Sequence, residues 1–425
     1  MTENVNVFWF RRDLRLEDNK GLFEALNSGK TLPIFIFDSS ILSELDKDDS
    51  RLSFIYQTLI KIHQKLKGTL KVFIGKPIDI WQQLMSDYHI DTVFYNKDYE
   101  PYASERDHKI GAFLKSKNIN FIGFKDQVIF EEKDILKSDG TPYTIYTPYK
   151  KKWLAKYAND LTDSFPCENL LHQVLKVDFP FPSLEEIGFK ASLINIPAFS
   201  FDNLADYENV RDIPSLNQTS HLSTHLRFGT ISVRQAVKRA KSINQIFLSE
   251  LIWREFFMQI LFNFPYVVNA SFKSKYDRIT WRNNEADFEK WSVGKTGYPM
   301  VDAGMRELNE TGLMHNRVRM VTASFLVKHL LIDWRWGEAY FAKKLLDYDL
   351  SANNGNWQWA AGTGCDAAPY FRIFNPEAQQ KRFDPKAIYI RKWVTEFDEL
   401  SYPLPMVDHK YARERCLKTF KEGLV

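Results

Sequence analysis

The feature that most constrains the fold is a rhythm in the first 130 residues. Short apolar runs recur at Val5–Phe10, Leu32–Phe37, Leu70–Ile74, Thr92–Tyr95 and Ile119–Phe124. Between them, Leu52–Leu66, Ile78–Tyr88 and Ala103–Lys115 carry apolar residues at helical spacing. Strand, helix, strand in this order is satisfied by a parallel sheet, because a parallel connection needs a crossover and the crossover is usually a helix. Past about residue 200 the strand pattern nearly vanishes. Ser232–Lys241, Ser249–Phe262, Asp302–Leu308, Asn316–Leu331, Gly337–Leu346 and Tyr411–Lys421 all show helical periodicity.

The expected architecture is therefore α/β plus all-α. A doubly wound parallel-sheet (Rossmann-like) domain spans 1–130, a linker spans 131–200, and a helical domain spans 201–425. The linker is read from turn-rich DGTPYTIYTPYKKKW and from Pro180, Pro182 and Pro197. A chain of 425 residues is long for one core, which agrees with two domains. No GxGxxG follows the first strand. The chain there reads FRRDLRLEDN, so the usual dinucleotide fingerprint is missing.

Several signals exclude function classes. Cys167, Cys365 and Cys416 form no CxxC pair, which fits a reducing compartment and excludes a disulfide scaffold or Cys-rich zinc site. No basic segment with an apolar run opens the chain and no run approaches membrane-spanning length, so a soluble cytoplasmic protein is expected. A net charge of +3 establishes no nucleic-acid partner, yet it conceals any local basic patch. Gly294-Lys295-Thr296 imitates the end of a P-loop, but Glu289 stands where that loop needs glycine. His221 and His225 are four apart, a spacing metals use on helices; no nearby carboxylate or Cys completes a set, and no metal is expected. Arg11, Arg12 and Arg15 are expected to tie the first strand to the other domain by charge-assisted hydrogen bonds.

The stretch Tyr348–Phe374, YDLSANNGNWQWAAGTGCDAAPYFRIF, concentrates chemistry. Asn353, Asn354 and Asn356 are read as a Gly-broken loop, and Trp357 and Trp359 flank a Gln. Small residues admit a flat ligand, Trp faces stack on it, and amides and carboxylates read its edge. The stretch is either a pocket for a large aromatic cofactor with room for a second ring, or an aromatic core turn. Eight of the 11 Trp lie from Trp253 onward, so the second half carries a special aromatic demand.

Together these motifs resemble the photolyase and cryptochrome family, most closely class I cyclobutane pyrimidine dimer photolyases. The resemblance runs through FRRDLRLEDN, TSHLSTHLRFGTIS (219–232), ELIWREFF (250–257), KTGYPMVDAGMREL (295–308), GLMHNRVRMVTASFLVKHLLIDWR (312–335) and the stretch above as far as Pro376. It implies a light-driven DNA repair enzyme, a carbon–carbon lyase, with FAD inside the helical domain. By that resemblance Thr219, Ser220, His221, Leu222 and Ser223 cradle the cofactor phosphates, with His221 standing where an Arg is common. Tyr207 and Arg254 are further cofactor contacts. Asn316, Arg319, Asp347 and Asp349 surround the flavin and ribose. Asn353 faces the flavin N5, where a neutral amide suits an anionic reduced flavin.

On the lesion side the resemblance assigns Glu250, Trp253, Asn316, Met320 and Trp359 to the dimer, with Glu250 and Asn353 catalytic. Arg317, Arg372 and Gln379 correspond to DNA contacts near the pocket. Trp281, Trp334 and Trp357 correspond to a chain carrying electrons to the flavin. Six-four photolyases carry two His where this chain has Asn316 and Met320. The implied partner is damaged DNA with its dimer flipped out, bound by a monomer with little sequence preference. A second, antenna chromophore (folate, deazaflavin, FMN or none) stays open, because NKDYEPYASERD at 96–107 lacks the Asn-Glu pair of folate-binding members. The alternatives are a cryptochrome-type photoreceptor and a six-four photolyase.

Overall fold

A computed structural model describes residues 4–159 and 164–424. The apolar runs form strands β1 Val5–Phe10, β2 Thr31–Asp38, β3 Lys71–Gly75, β4 Ile90–Asn96 and β5 Asn120–Phe124. Helices α1 Lys20–Ser28, α2 Ser50–Lys65, α3 Pro77–Asp87 and α4 Pro101–Ser116 lie between them. The sheet order is β3-β2-β1-β4-β5 and every pairing is parallel. β1 and β2 are buried at every position, as expected of central strands covered on both faces. Alternate residues of β1 feed opposite core layers: Phe8 and Phe10 join Leu22, Phe35 and Leu59, while Val7 and Trp9 join Ile34, Trp81 and Leu114.

The chain forms two compact units. The first comprises 1–134, 155–199 and 221–242; the second comprises 135–154, 200–220 and 243–425. Residues expected as a linker are thus divided between the two. Within them a helix, α5 Tyr146–Asn159, occupies a segment that reads as turns. Tyr149 and Trp153 anchor it, each 1% exposed. α7 Val233–Ile243, a helix expected in the helical domain, and the short α6 Leu222–Arg227 before it fall almost wholly in the first unit.

The second unit is built on α8 Gln245–Asn263, α9 Pro299–Thr311, α10 Asn316–Ser324, α11 Trp334–Lys344, α12 Leu350–Ala361, α13 Pro376–Phe383 and α14 His409–Gly423. Among the described residues all five strands lie in the first unit. The single helix expected over Asn316–Leu331 instead loosens to a π-helical turn at Phe325–His329 and stops where Leu331 adopts φ 52°. Among the described residues, no helix is long and apolar enough to cross a membrane.

A larger correction concerns Asn353, Asn354 and Asn356, which lie in helix α12, not in a loop. Asp349 caps its start by accepting from the Ala352 N–H, and Gly362 closes it at φ 86°. Gly355 does not break the helix; it lets α8 approach, since a Cβ there would stand 2.1 Å from the Phe257 ring.

Candidate functional site

Arg, Asp and Asn gather in two places. The first is at the carboxyl ends of β1 and β4, where strand order reverses and doubly wound sheets commonly bind ligands. Here, Arg11 Nε apart, the protein largely satisfies itself. Arg15 holds Asp126 with contacts of 2.7 and 2.8 Å and also donates to the carbonyls of Glu17, Asp18 and Gly229. Arg234 bonds Asp126 at 2.9 Å and Asp18 at 3.2 Å. Burial would raise the Asp126 carboxyl, but Arg15 and Arg234 outweigh it and hold it below the ordinary range.

Asn96 spends both ends of its amide, donating to Asp13 and Asn19 and accepting from the Gly21 N–H. Arg12 pairs with Asp98 and Glu100, and Arg11 with Asp107. All these partners lie in the first unit, and that unit includes part of the stretch expected in the helical domain: Arg12 also donates to the Arg227 carbonyl, as Arg15 does to that of Gly229. His225 is equally committed, to Pro197 O at 3.0 Å and Thr230 Oγ1 at 2.8 Å.

The second place is a cavity in the helical unit, about 620 Å³ including its open mouth. From α10 it receives Asn316, Arg319 and Met320, one face at i, i+3 and i+4. Asp347 and Asp349 come from the α11–α12 connection, and Asn353, Trp357 and Trp359 from α12. These eight expected site residues are thereby brought together, with Asn356 beside them. Arg319 bonds both oxygens of Asp347, at 3.0 and 3.2 Å, and the carbonyl of Met314 at 2.7 Å. Asn353 Nδ2 donates to the Glu338 carbonyl at 3.0 Å and to Glu338 Oε1 at 2.8 Å. That commits the amide's donor end and leaves its carbonyl end for a ligand. Burial raises the Glu338 carboxyl and the Asn353 bond partly opposes this.

Trp357 is 2% exposed and meets Phe341 edge-on at 4.9 Å. It lies over Gly337, where a Cβ would stand 2.1 Å from the indole. Trp334 sits one turn earlier on the same helix, buried, its Nε1 without a hydrogen-bond partner. Trp281 is half-buried and meets Phe420 edge-on at 5.8 Å.

Other expected residues do not line this cavity. Glu250, Trp253 and Arg254 stand on α8. Glu250 pairs with Arg211 at 2.7 Å, and that guanidinium lies 5.2 Å from the Tyr207 ring. Burial, reinforced by Glu250, pushes the Tyr207 hydroxyl up to about 12. Arg317 pairs with Asp212 at 2.8 Å and covers Phe383 at 4.4 Å. His315 caps α10 through Nδ1, which accepts from the Arg317 N–H, so its proton sits on Nε2. Arg372 is exposed over Phe374, and Gln379 lies on α13. Thr219 and Ser220 belong to the second unit, whereas His221, Leu222 and Ser223 begin α6 in the first.

Sequence reasoning missed Arg211 and Asp212. The available signal was Arg211 four residues after Tyr207, a helical neighbour of a residue already singled out.

An aromatic-walled cavity with an Arg–Asp pair and a one-sided amide at its edge suits a flat, hydrogen-bonding heterocycle that carries charge. The molecule is thus, in class, a helical cofactor-binding unit joined to an α/β unit. Known proteins narrow this. A family described as the FAD binding domain of DNA photolyase matches residues 247–401, and one described as DNA photolyase matches 6–169.

A deoxyribodipyrimidine photo-lyase of Synechococcus sp. is 35% identical, the match covering 96% of this chain and 95% of the relative. A bacterial class III photolyase from Agrobacterium tumefaciens superposes with a TM-score of 0.89 at 32% identity, covering 100% of this chain and 98% of that one. A cryptochrome of Synechocystis sp. superposes at 0.85 with 25% identity and 99% coverage of both. The chain belongs to the DNA photolyase family, and its helical unit is an FAD-binding domain. The residues present fit that cofactor: Arg319 with Asp347 balances charge, Asn353 offers an acceptor, and Trp357 and Phe341 supply apolar wall.

Proposed function

We propose that this chain repairs cyclobutane pyrimidine dimers in DNA in a light-dependent reaction. The observation that carries the reading is the placement of Asn316, Met320 and Trp359 on the wall of the same cavity as Arg319, Asp347 and Asn353. A dimer and the cofactor would then be neighbours. FAD, when bound, supplies the light absorption and the electron that the dimer receives and gives back.

The protein's own residues bind and orient. Trp253 and Trp359 present flat apolar surface to the flank of the dimer, and Asn316 hydrogen-bonds a base edge. Glu250 accepts at the other edge; before DNA arrives, Arg211 holds it in place and balances its charge. Asn353, its donor end fixed by Glu338, would offer an acceptor to the flavin N5 edge. Arg317, Arg372 and Gln379 meet the DNA backbone, which gives salt dependence without sequence preference. Trp357, Trp334 and Trp281 would pass electrons from the surface toward an oxidised cofactor. Flipping the dimer out costs roughly a few kcal/mol of stacking and pairing, and a weakly stacked lesion lowers that cost.

Binding in darkness separates this reading from its neighbours. The protein should bind a duplex with one cyclobutane dimer more tightly than one with a six-four lesion or none. Equal affinity for all three would favour the photoreceptor reading, and a preference for the six-four duplex would replace the substrate.

A further inference from the structure

The helix that emerged from the expected linker reaches the proposed lesion residues directly. In its second-unit portion, Tyr146, Tyr149, Lys150 and Trp153 fall at i, i+3, i+4 and i+7, one stripe of α5. That stripe lies on α8. The Tyr146 ring stacks on Trp253 with centroids 3.6 Å apart and planes 10° from parallel. Its hydroxyl donates to the Ser249 carbonyl at 2.7 Å, and Lys150 Nζ donates to Ser249 Oγ. In a helix that carbonyl also receives the N–H four residues on, which is Trp253. The Tyr146 hydroxyl therefore grips the turn that carries both Glu250 and Trp253. At its other end, the Tyr146 N–H donates to Asp366 Oδ2 at 3.0 Å, in the loop after α12. Farther along the stripe, Trp153 Nε1 donates at 2.7 Å to Glu255, a carboxylate only 2% exposed.

We propose that Tyr146 is a positioning residue for lesion recognition: its ring fixes the plane of the Trp253 indole against which the dimer is held. The role rests on the dimer-repair reading. Tyr146 itself is 7% exposed with one face against Trp253, and Phe256 and Phe257 also meet this indole, so a dimer brought to it meets the part that these three rings leave uncovered. An indole already held in its bound orientation loses little side-chain freedom when the lesion arrives, which tightens binding of the lesion but not of ordinary duplex.

The test measures dark affinity of the FAD-loaded protein for a dimer-bearing duplex and an undamaged one at a single salt concentration. Tyr146→Leu should weaken binding of the dimer duplex about fivefold, leave the undamaged duplex unchanged and leave FAD content unchanged. In a Trp253→Ala background the same substitution should add nothing. Equal weakening on both duplexes, or the full loss again in the Trp253→Ala background, would overturn the assignment. Should Tyr146→Leu fail to fold, Tyr146→Phe decides. It keeps the ring, so retention within about twofold supports the stack and a loss of about fivefold overturns it. A wild-type protein that cannot tell the two duplexes apart fails the repair reading itself. A discriminating wild type with an indifferent Tyr146→Leu fails only the role of Tyr146.

Discussion

The two clusters of arginine, aspartate and asparagine use the same side chains to opposite ends. At the carboxyl ends of β1 and β4, Arg15, Arg234 and Asn96 direct their hydrogen bonds to protein partners. In the helical cavity, Arg319 is committed to Asp347 and Met314 and Asn353 only at its donor end, beside aromatic walls with space between them. Residue type does not separate a brace from a site. What separates them is whether hydrogen-bonding capacity and flat surface are left over once the protein has folded.

The contrast is sharpened most by breaking each cluster at its arginine. Arg15→Ala leaves the buried Asp126 without one of its two cations and should cost about 3–5 kcal/mol in urea unfolding. Arg319→Ala should cost only about 1 kcal/mol but strip most of the FAD from purified protein. Comparable stability losses with FAD retained in both would erase the distinction.

Two further substitutions act inside the helical unit. Glu250→Ala should lower repair on the order of tenfold or more while FAD content stays near wild type. A parallel fall in both would make Glu250 a cofactor contact. Trp357→Phe should slow photoreduction of oxidised FAD on the order of tenfold, with repair by pre-reduced protein nearly intact. A pre-reduced variant that cannot repair would contradict that separation.

Acid should also act unequally. Burial holds His315 down to about 4 in the folded helical unit, against an ordinary 6.5. The unfolded chain then binds more protons between these values, so its contribution to stability is full above about pH 6.5 and is lost progressively toward pH 4. Asp126, depressed by Arg15 and Arg234, holds its contribution until pH falls below its ordinary 3.8. Tryptophan fluorescence, dominated by the helical unit, should therefore register an early loss of stability as pH drops toward 4, and His315→Asn should flatten that slope while leaving the later loss carried by Asp126. An unchanged slope in His315→Asn would count against the difference. The smallest effect is expected from Arg317→Ala. It should reduce the slope of log affinity against log salt by about 1 on any DNA sequence; a loss restricted to one sequence context would oppose a phosphate role.

Much of the α/β unit was legible because a buried strand writes itself as a continuous apolar run; Val5–Phe10 has the bounds read from sequence. Helix α12 was not, because Asn353, Asn354, Gly355 and Asn356 have weak helix propensity. It is held by Asp349 and Gly362 at its ends and by the fit of Gly355 on Phe257. Helix α5 was hidden in the same way by Thr147 and Pro148, and what holds it is the bond from Trp153 to Glu255, 102 positions away. The cavity's aromatic and acidic members were visible as types. The ion pairs of Glu250 and Arg317, with Arg211 and Asp212, were not, because pairing across 39 and 105 residues leaves no local pattern.

The most direct test is repair itself. Reduced, FAD-loaded protein would be incubated with an oligonucleotide carrying one thymine cyclobutane dimer, and separately with one carrying a six-four lesion, in light and in darkness. Restoration of the cyclobutane substrate alone, and only in light, is the predicted result. No repair of either lesion by protein whose FAD is bound and photoreducible would contradict the account.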